Sequence, residues 1–154
     1  MIKLDLSKYH SELKFSESGG KRYVFDPIRK SNFIVQQEEL VRQSWIQYLL
    51  ISCKIREASL SVEKQVVVNK LKKRIDLVYY SKGNPLVLFE FKSFNISINQ
   101  NAAQQVANYN LQLKVPYIVI SNGLDHFAFF VDFEKQTTTP LNDFSFLSEL
   151  NTQG

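Results

Sequence analysis

Two runs of strand-forming residues, Lys73 to Tyr80 and Leu86 to Lys92, flank the segment Ser81-Lys-Gly-Asn-Pro85. This pattern leaves the chain few local options. β-Branched, aromatic and aliphatic side chains fit a pleated surface, while Gly, Asn and Pro supply the backbone geometry of a reversal. The sequence therefore predicts an antiparallel hairpin. With 81–85 as its loop and Tyr80 facing Leu86, Asp76 falls opposite Glu90 and Arg74 opposite Lys92. Strand side chains alternate, so Asp76, Glu90 and Lys92 share one face, and Ile75, Leu77, Phe89 and Phe91 point into the other.

Facing carboxylates with Cβ atoms roughly 5 Å apart repel unless a cation or a proton lies between them. Hard cations such as magnesium take oxygen ligands, commonly one or two carboxylates completed by water and substrate phosphates. A lysine two residues beyond the second carboxylate lies on the same face. Its ammonium can orient a water or offset charge developing on a phosphodiester. The competing reading is a solvated strand with alternating charges, for Glu-x-Lys also occurs as Glu12-Leu-Lys14. The apolar run Leu86 to Phe89 distinguishes Glu90, because a carboxylate that closes a buried strand is not an ordinary solvated edge.

At 154 residues, 44% hydrophobic and 22% charged, the chain is expected to form a single domain, 1–154, with a substantial core. The single Cys53, in LLISCKI, has no internal disulfide partner and reads as a small buried hydrophobe. Only His10 and His126 are present, too few for histidine-rich metal sites. No apolar run approaches the roughly 18 residues of a membrane span, and MIKLDLSKYH lacks a signal peptide's apolar core, so a cytoplasmic protein with no membrane partner is expected. The net charge of +4 is compatible with nucleic acid. Part of it clusters at Lys70, Lys72, Lys73 and Arg74, either beside the proposed site or at an exposed strand end.

Around the hairpin, residues 36 to 55 carry apolar and small residues at helical spacing, namely Leu40, Val41, Ser44, Trp45, Tyr48, Leu49 and Ser52. Glu38 and Glu39 fall in that helix's first turn, where carboxylates favour the macrodipole, which alone would account for them. Ser16 to Gly20 reads as a loop and Tyr23 to Phe25 as a short strand. Val62 to Val68 reads as a strand followed by a turn at Asn69-Lys70. A second helix spans roughly Asn99 to Leu113 and stops before Pro116, with Ala102, Val106, Tyr109 and Leu113 as its buried stripe. Gln105 lies beside that stripe, where it can face a cleft. Strands follow at Tyr117 to Ser121 and His126 to Phe133 around an Asn122-Gly123 turn, and the tail from Glu134 is polar apart from Phe144, Phe146, Leu147 and Leu150. The helical crossover between Lys92 and Tyr117 permits parallel pairing, so an α/β fold with a mixed sheet is expected.

The order helix, Asp on one strand, Glu-x-Lys on the next, then a helix carrying Gln-x-x-x-Tyr resembles the PD-(D/E)XK nuclease superfamily. In particular it resembles the N-terminal domain of type I restriction enzyme R subunits. The matching stretches are GGKRYVFD at 19–26, EELVRQ at 38–43, KKRIDLVYY at 72–80, LFEFK at 88–92, QVANYN at 105–110 and VPYIVISNGLDH at 115–126. Ile75 stands where the superfamily's name has proline.

The resemblance implies a restriction-endonuclease-like core, a mixed central sheet flanked by helices, and an endonuclease acting on DNA with magnesium, or manganese in its place. Asp76 and Glu90 are the implied metal ligands, and Lys92 assists the attacking water. Glu39, with Glu38 as its alternative, joins from the first helix, and Gln105 lies near the site and the DNA backbone. A separate translocase or specificity subunit is the implied protein partner, because R subunits carry a large translocase after this domain. A non-catalytic DNA- or protein-binding module with the same fold is the alternative.

Overall fold

The computed structural model describes residues 1–68 and 70–153. After a short 3-10 turn at Ser7–Glu12 come β1 (Phe15–Ser18), β2 (Lys21–Asp26), β3 (Ser31–Ile34) and helix α1 (Gln37–Ile51). Strands β4 (Leu60–Val68), β5 (Leu71–Ser81) and β6 (Asn84–Phe91) lead to α2 (Gln100–Tyr109), then β7 (Tyr117–Ser121), β8 (His126–Asp132), β9 (Thr137–Pro140) and α3 (Ser145–Gln153). Among the described residues, β1–β3 form a small antiparallel sheet and β4 to β9 a six-stranded sheet in sequence order. Only β6 and β7 pair in parallel there, joined by the α2 crossover, so the sheet is mixed as expected.

The hairpin β5–β6 turns differently from the expected loop. Its loop is only Lys82-Gly83, with φ of 53° and 80°, the left-handed pair that lets a two-residue turn match strand twist. Pro85 lies inside β6. A bulge between Tyr79 and Tyr80 compensates for the shorter loop, and the rungs Tyr79–Val87, Val78–Leu88 and Leu77–Phe89 are those the sequence implied, whereas Tyr80 pairs with Pro85 rather than Leu86 and the expected pairs Asp76–Glu90 and Arg74–Lys92 do not form. The turn expected at Asn69-Lys70 falls partly on Asn69, outside the described residues.

Helix α1 covers one face of the sheet. Trp45 is fully buried at the centre of that core, against Phe89, Phe91, His126 and Phe144 with ring centroids 5.1–6.3 Å apart. The tail is more structured than its composition suggested, because Phe144, Phe146 and Leu147 close this same core. Ser16 to Ser18, expected as loop, belongs to β1.

Helix α2 covers the opposite face through Ala103 and Ala107, packed with Ile118, Ile120, Phe127 and Phe129. The expected stripe is corrected here: Ala102 is exposed, Val106 only partly buried, and Tyr109 67% exposed. Small side chains let the helix approach the sheet closely, and a reading weighted by side-chain size picks the neighbouring face. The true rotation turns Asn110 inward.

His126 is fully buried, as a structural histidine should be. Its Nδ1 lies 2.8 Å from Ser121 Oγ and its Nε2 3.0 Å from the Leu4 carbonyl, tying the N-terminal segment to the sheet. Ser121 Oγ also accepts the Gly123 N–H at 2.9 Å. The neutral ring satisfies both contacts by donating from Nε2 and accepting from the Ser121 hydroxyl at Nδ1. Burial lowers the His126 pKa against the opposing pull of the Leu4 bond and Asp125. The unfolded chain therefore binds the proton more readily, so the neutral ring's stability is complete above the ordinary histidine value, near 6.5, and is lost as pH falls through the folded value. His126→Gln should flatten the acid side of the stability profile. Denaturant melts from pH 7 to pH 4 check this, and an unchanged slope below pH 6 would contradict it.

Candidate functional site

Asp76 occupies the point where β5 parts from β6 and where one rung of its pairing with β4 is missing. Toward β4, the rungs Val62–Leu77 and Lys64–Ile75 flank Glu63, whose φ of 54° interrupts the ladder. Toward β6, the rungs end at Leu77–Phe89, and β6 continues alongside β7 through Glu90–Ile120 and Phe91–Ser121. This splay frees the Phe91 N–H, which donates to Asp76 Oδ2 at 2.8 Å. A buried backbone donor must find an acceptor, so the hydrogen bond also fixes the carboxylate. The irregularity disturbs side-chain alternation as well. Ile75 packs with Val78, Leu88 and Val115, rather than beside Leu77, Phe89 and Phe91 as expected.

Burial raises the Asp76 pKa, and the Glu90 charge adds to that, while the Phe91 bond, Arg42 and Lys92 oppose it. Glu38, at the start of α1, is raised by its own partial desolvation and then by the Asp76 charge, with Arg42 and Lys92 opposing. Asp76, Glu38, Glu90 and Lys92 thus share one electrostatic environment. Lys92, immediately after β6, is exposed, and its N–H donates to the Ser121 carbonyl at 2.9 Å. Asn122 steadies the loop beyond it: its Nδ2 donates to Ile96 O at 2.7 Å, and its Oδ1 accepts from Leu124 N and Asp125 N.

The other α1 glutamate is differently engaged. Glu39 Oε1 receives Arg29 Nη2 at 2.7 Å and Arg42 Nη1 at 2.9 Å, and its Oε2 receives Gln43 Nε2 at 3.1 Å. Arg29 in turn binds Asp26, which is fully buried at the end of β2 and whose Oδ1 accepts the N–H groups of Ile28 and Arg29. Arg42 Nη2 reaches Glu63 at 3.6 Å and Asp76 at 3.7 Å. Glu39 therefore stands one guanidinium away from Asp76, and Glu38 is the α1 glutamate that feels the charges of Asp76 and Lys92.

Glu90 is approached from the α2 side, by Lys73 Nζ at 2.8 Å and Asn110 Nδ2 at 3.0 Å. Gln105 is exposed on α2. Of the basic cluster upstream of Asp76, Lys73 reaches Glu90, whereas Arg74, 71% exposed in its side chain, pairs with Glu63 at 3.4 Å. The sequence pattern assigned no individual role at this site to Lys73, Asn110 or Asn122, although KKRIDLVYY, QVANYN and VPYIVISNGLDH contain them. A mostly apolar cavity of about 660 Å³ between the N-terminal segment, α1 and the loops carrying Phe94 and Leu124 does not include these carboxylates.

Among the described residues, no group of three or more His, Cys, Asp and Glu side chains is gathered to hold a metal ion. The donors near Asp76 are carboxylate oxygens. Such a set fits a hard cation that keeps part of its water shell, as magnesium does on one or two carboxylates. It does not suit a softer metal that needs nitrogen or sulfur.

A mixed sheet flanked by helices, with carboxylates and a lysine where its central strands part, is a restriction-endonuclease-like core. The family model for the type I restriction enzyme R protein N terminus matches residues 37–144, and the chain belongs to that family. The matched span runs from the start of α1 to the residue before α3 and includes every residue of the site except Asp26 and Arg29. No curated protein matches the chain. None of the helices described is long and apolar enough to cross a membrane.

The two glutamates can be separated experimentally. Glu39→Gln removes the charge that two guanidinium groups share and should cost about 2 kcal/mol, since it strands partly buried cations. Glu38→Gln relieves repulsion with Asp76 and should leave stability unchanged or raise it. Urea melts of the two variants test the assignment; a larger loss for Glu38→Gln would place the wrong side of α1 against the site.

Proposed function

We propose that this domain cleaves DNA as a magnesium-dependent endonuclease, the nuclease module of a restriction system. The observation that carries this reading is the placing of Asp76 where β6 leaves β5, held by the N–H of Phe91, the residue before Lys92, with Glu38 and Lys92 in electrostatic reach of it. Asp76 and Glu90 are the residues that would hold the cation, whose bound charge supplies Lewis-acid stabilisation to a phosphodiester under attack. Manganese would serve the same role. The Phe91 N–H orients Asp76, and Lys92 offers an exposed ammonium to the phosphate and to the water beside it. Glu38 accepts a hydrogen bond from that water. Gln105, on the exposed surface of α2, fits a contact to the DNA backbone, where polar side chains position rather than specify.

A separate translocase or specificity subunit fits as protein partner, and a cytoplasmic location fits the DNA substrate. Incubation of the purified domain with supercoiled plasmid, with Mg²⁺ or Mn²⁺ and with chelator, tests the activity. Metal-dependent nicking supports the reading, and intact plasmid at high protein and metal concentration counts against it. A second reading, a DNA- or protein-binding module that has kept the fold without turnover, is favoured by one observation. Glu90 Oε1 already has an ammonium and an amide as partners.

A further inference from the structure

The partners of Glu90 form a closed arrangement. Asn110 is 1% exposed, at the C-terminal end of α2. Its amide nitrogen donates to Glu90 Oε1 at 3.0 Å and to the Val106 carbonyl at 2.8 Å, and its oxygen accepts from Lys73 Nζ. A carboxylate and a carbonyl both demand a donor, and an ammonium demands an acceptor, so only one amide orientation satisfies all three. Lys73 Nζ is also 2.8 Å from Glu90 Oε1 and lies over the Tyr109 ring, 4.6 Å from its centroid. The ammonium is thus held by a carboxylate, an amide oxygen and an aromatic face.

We infer that Lys73 is a resident counter-ion for Glu90, positioned by Asn110, and that a divalent cation reaching Glu90 must compete with it. This rests on the proposed metal-dependent reading and adds its regulation. With the cation absent, Lys73 neutralises Glu90 and lessens its repulsion of Asp76, so the site holds its shape unloaded. When the cation binds, part of the Glu90 interaction is exchanged from ammonium to metal, which weakens apparent metal affinity. The Lys73 ammonium is then released toward the surface where Tyr109 is exposed.

The test is a thermal-melt titration of the domain with MgCl₂ and MnCl₂ at constant ionic strength, on wild type, Lys73→Met and Lys73→Met/Glu90→Gln. A charge-assisted bond of this kind corresponds to about a tenfold change in an equilibrium. Lys73→Met should therefore reach half-maximal metal stabilisation at about one tenth of the wild-type concentration. The double variant should lose that gain. Lys73→Gln, which keeps a donor within reach of Asn110, gives the same readout if the methionine variant does not fold. A wild-type midpoint retained in the single variants overturns the counter-ion role and leaves the metal reading standing. A gain that persists without the Glu90 charge also overturns it, since Lys73 would then act as general surface charge. Melts indifferent to both metals in every variant overturn the metal reading and this inference together.

Discussion

Lys92→Ala should reduce DNA cleavage at least a hundredfold while leaving DNA binding within a fewfold of wild type. The side chain is exposed immediately beyond β6, where its charge acts on both Asp76 and Glu38. Its backbone is held independently, by the N–H donated to Ser121 and by the loop that Asn122 clamps. Truncation therefore removes a charge without moving the chain. A preorganised donor aimed at developing charge contributes roughly 3 kcal/mol in the transition state and far less in the ground state. Plasmid nicking and a gel-shift titration, run on the same preparation, separate the two effects. Equal rates for variant and wild type would end the nuclease reading of this site.

Arg42→Ala should be the most damaging single change near the site. The guanidinium is buried between α1 and the sheet, with partners at Glu39, Glu63 and Asp76. Its side chain is only 6% exposed and that of Glu39 10%. Removing one member of a buried ionic cluster leaves uncompensated charge and costs about 3–5 kcal/mol. Arg29 still reaches Glu39, which puts the expectation near 3 kcal/mol, or a fall in Tm of roughly 6–12 °C for a chain of this size. Arg42→Met combined with Glu39→Gln should recover part of the loss, because Glu39 is then no longer a charge without its partner and Arg29 keeps Asp26, while Asp76 and Glu63 still lack the guanidinium. Denaturant and thermal melts of both variants measure this. A loss within about 0.5 kcal/mol for Arg42→Ala, the range of an ordinary surface substitution, would mean that α1 does not bury this network.

The hairpin shows how an expectation can reach the correct register by an inaccurate route. A five-residue loop was expected and the chain uses Lys82-Gly83, yet the bulge at Tyr79 and Tyr80 restores Leu77 to Phe89. Hydrophobic alternation is the stronger constraint, because a slip of one residue would turn the buried side chains to solvent. Turn chemistry adjusts to it locally.

What the sequence determined by itself was the set of strands and helices from α1 to β8 and their mixed order, whereas β9 lies in the stretch read as a polar tail. The crossover after Lys92 and the candidates Asp76, Glu90 and Lys92 belong to that set. These follow from local composition and periodicity, which act over a few residues. Helix rotation was decided only in the tertiary structure. In α2 the alanines Ala103 and Ala107 face the sheet and carry Asn110 to Glu90; in α1 Glu39 is drawn inward by Arg29 and Arg42, leaving Glu38 exposed and within electrostatic reach of Asp76. Both outcomes depend on partners distant in sequence, Arg29 to Glu39 on one face and Lys73 to Asn110 on the other. The splay at Asp76 has the same origin, since it arises where β6 leaves β5 and continues along β7. Adjacent helical positions differ by about 100°, and the choice between them is made by whatever the opposing surface offers, which no local pattern records.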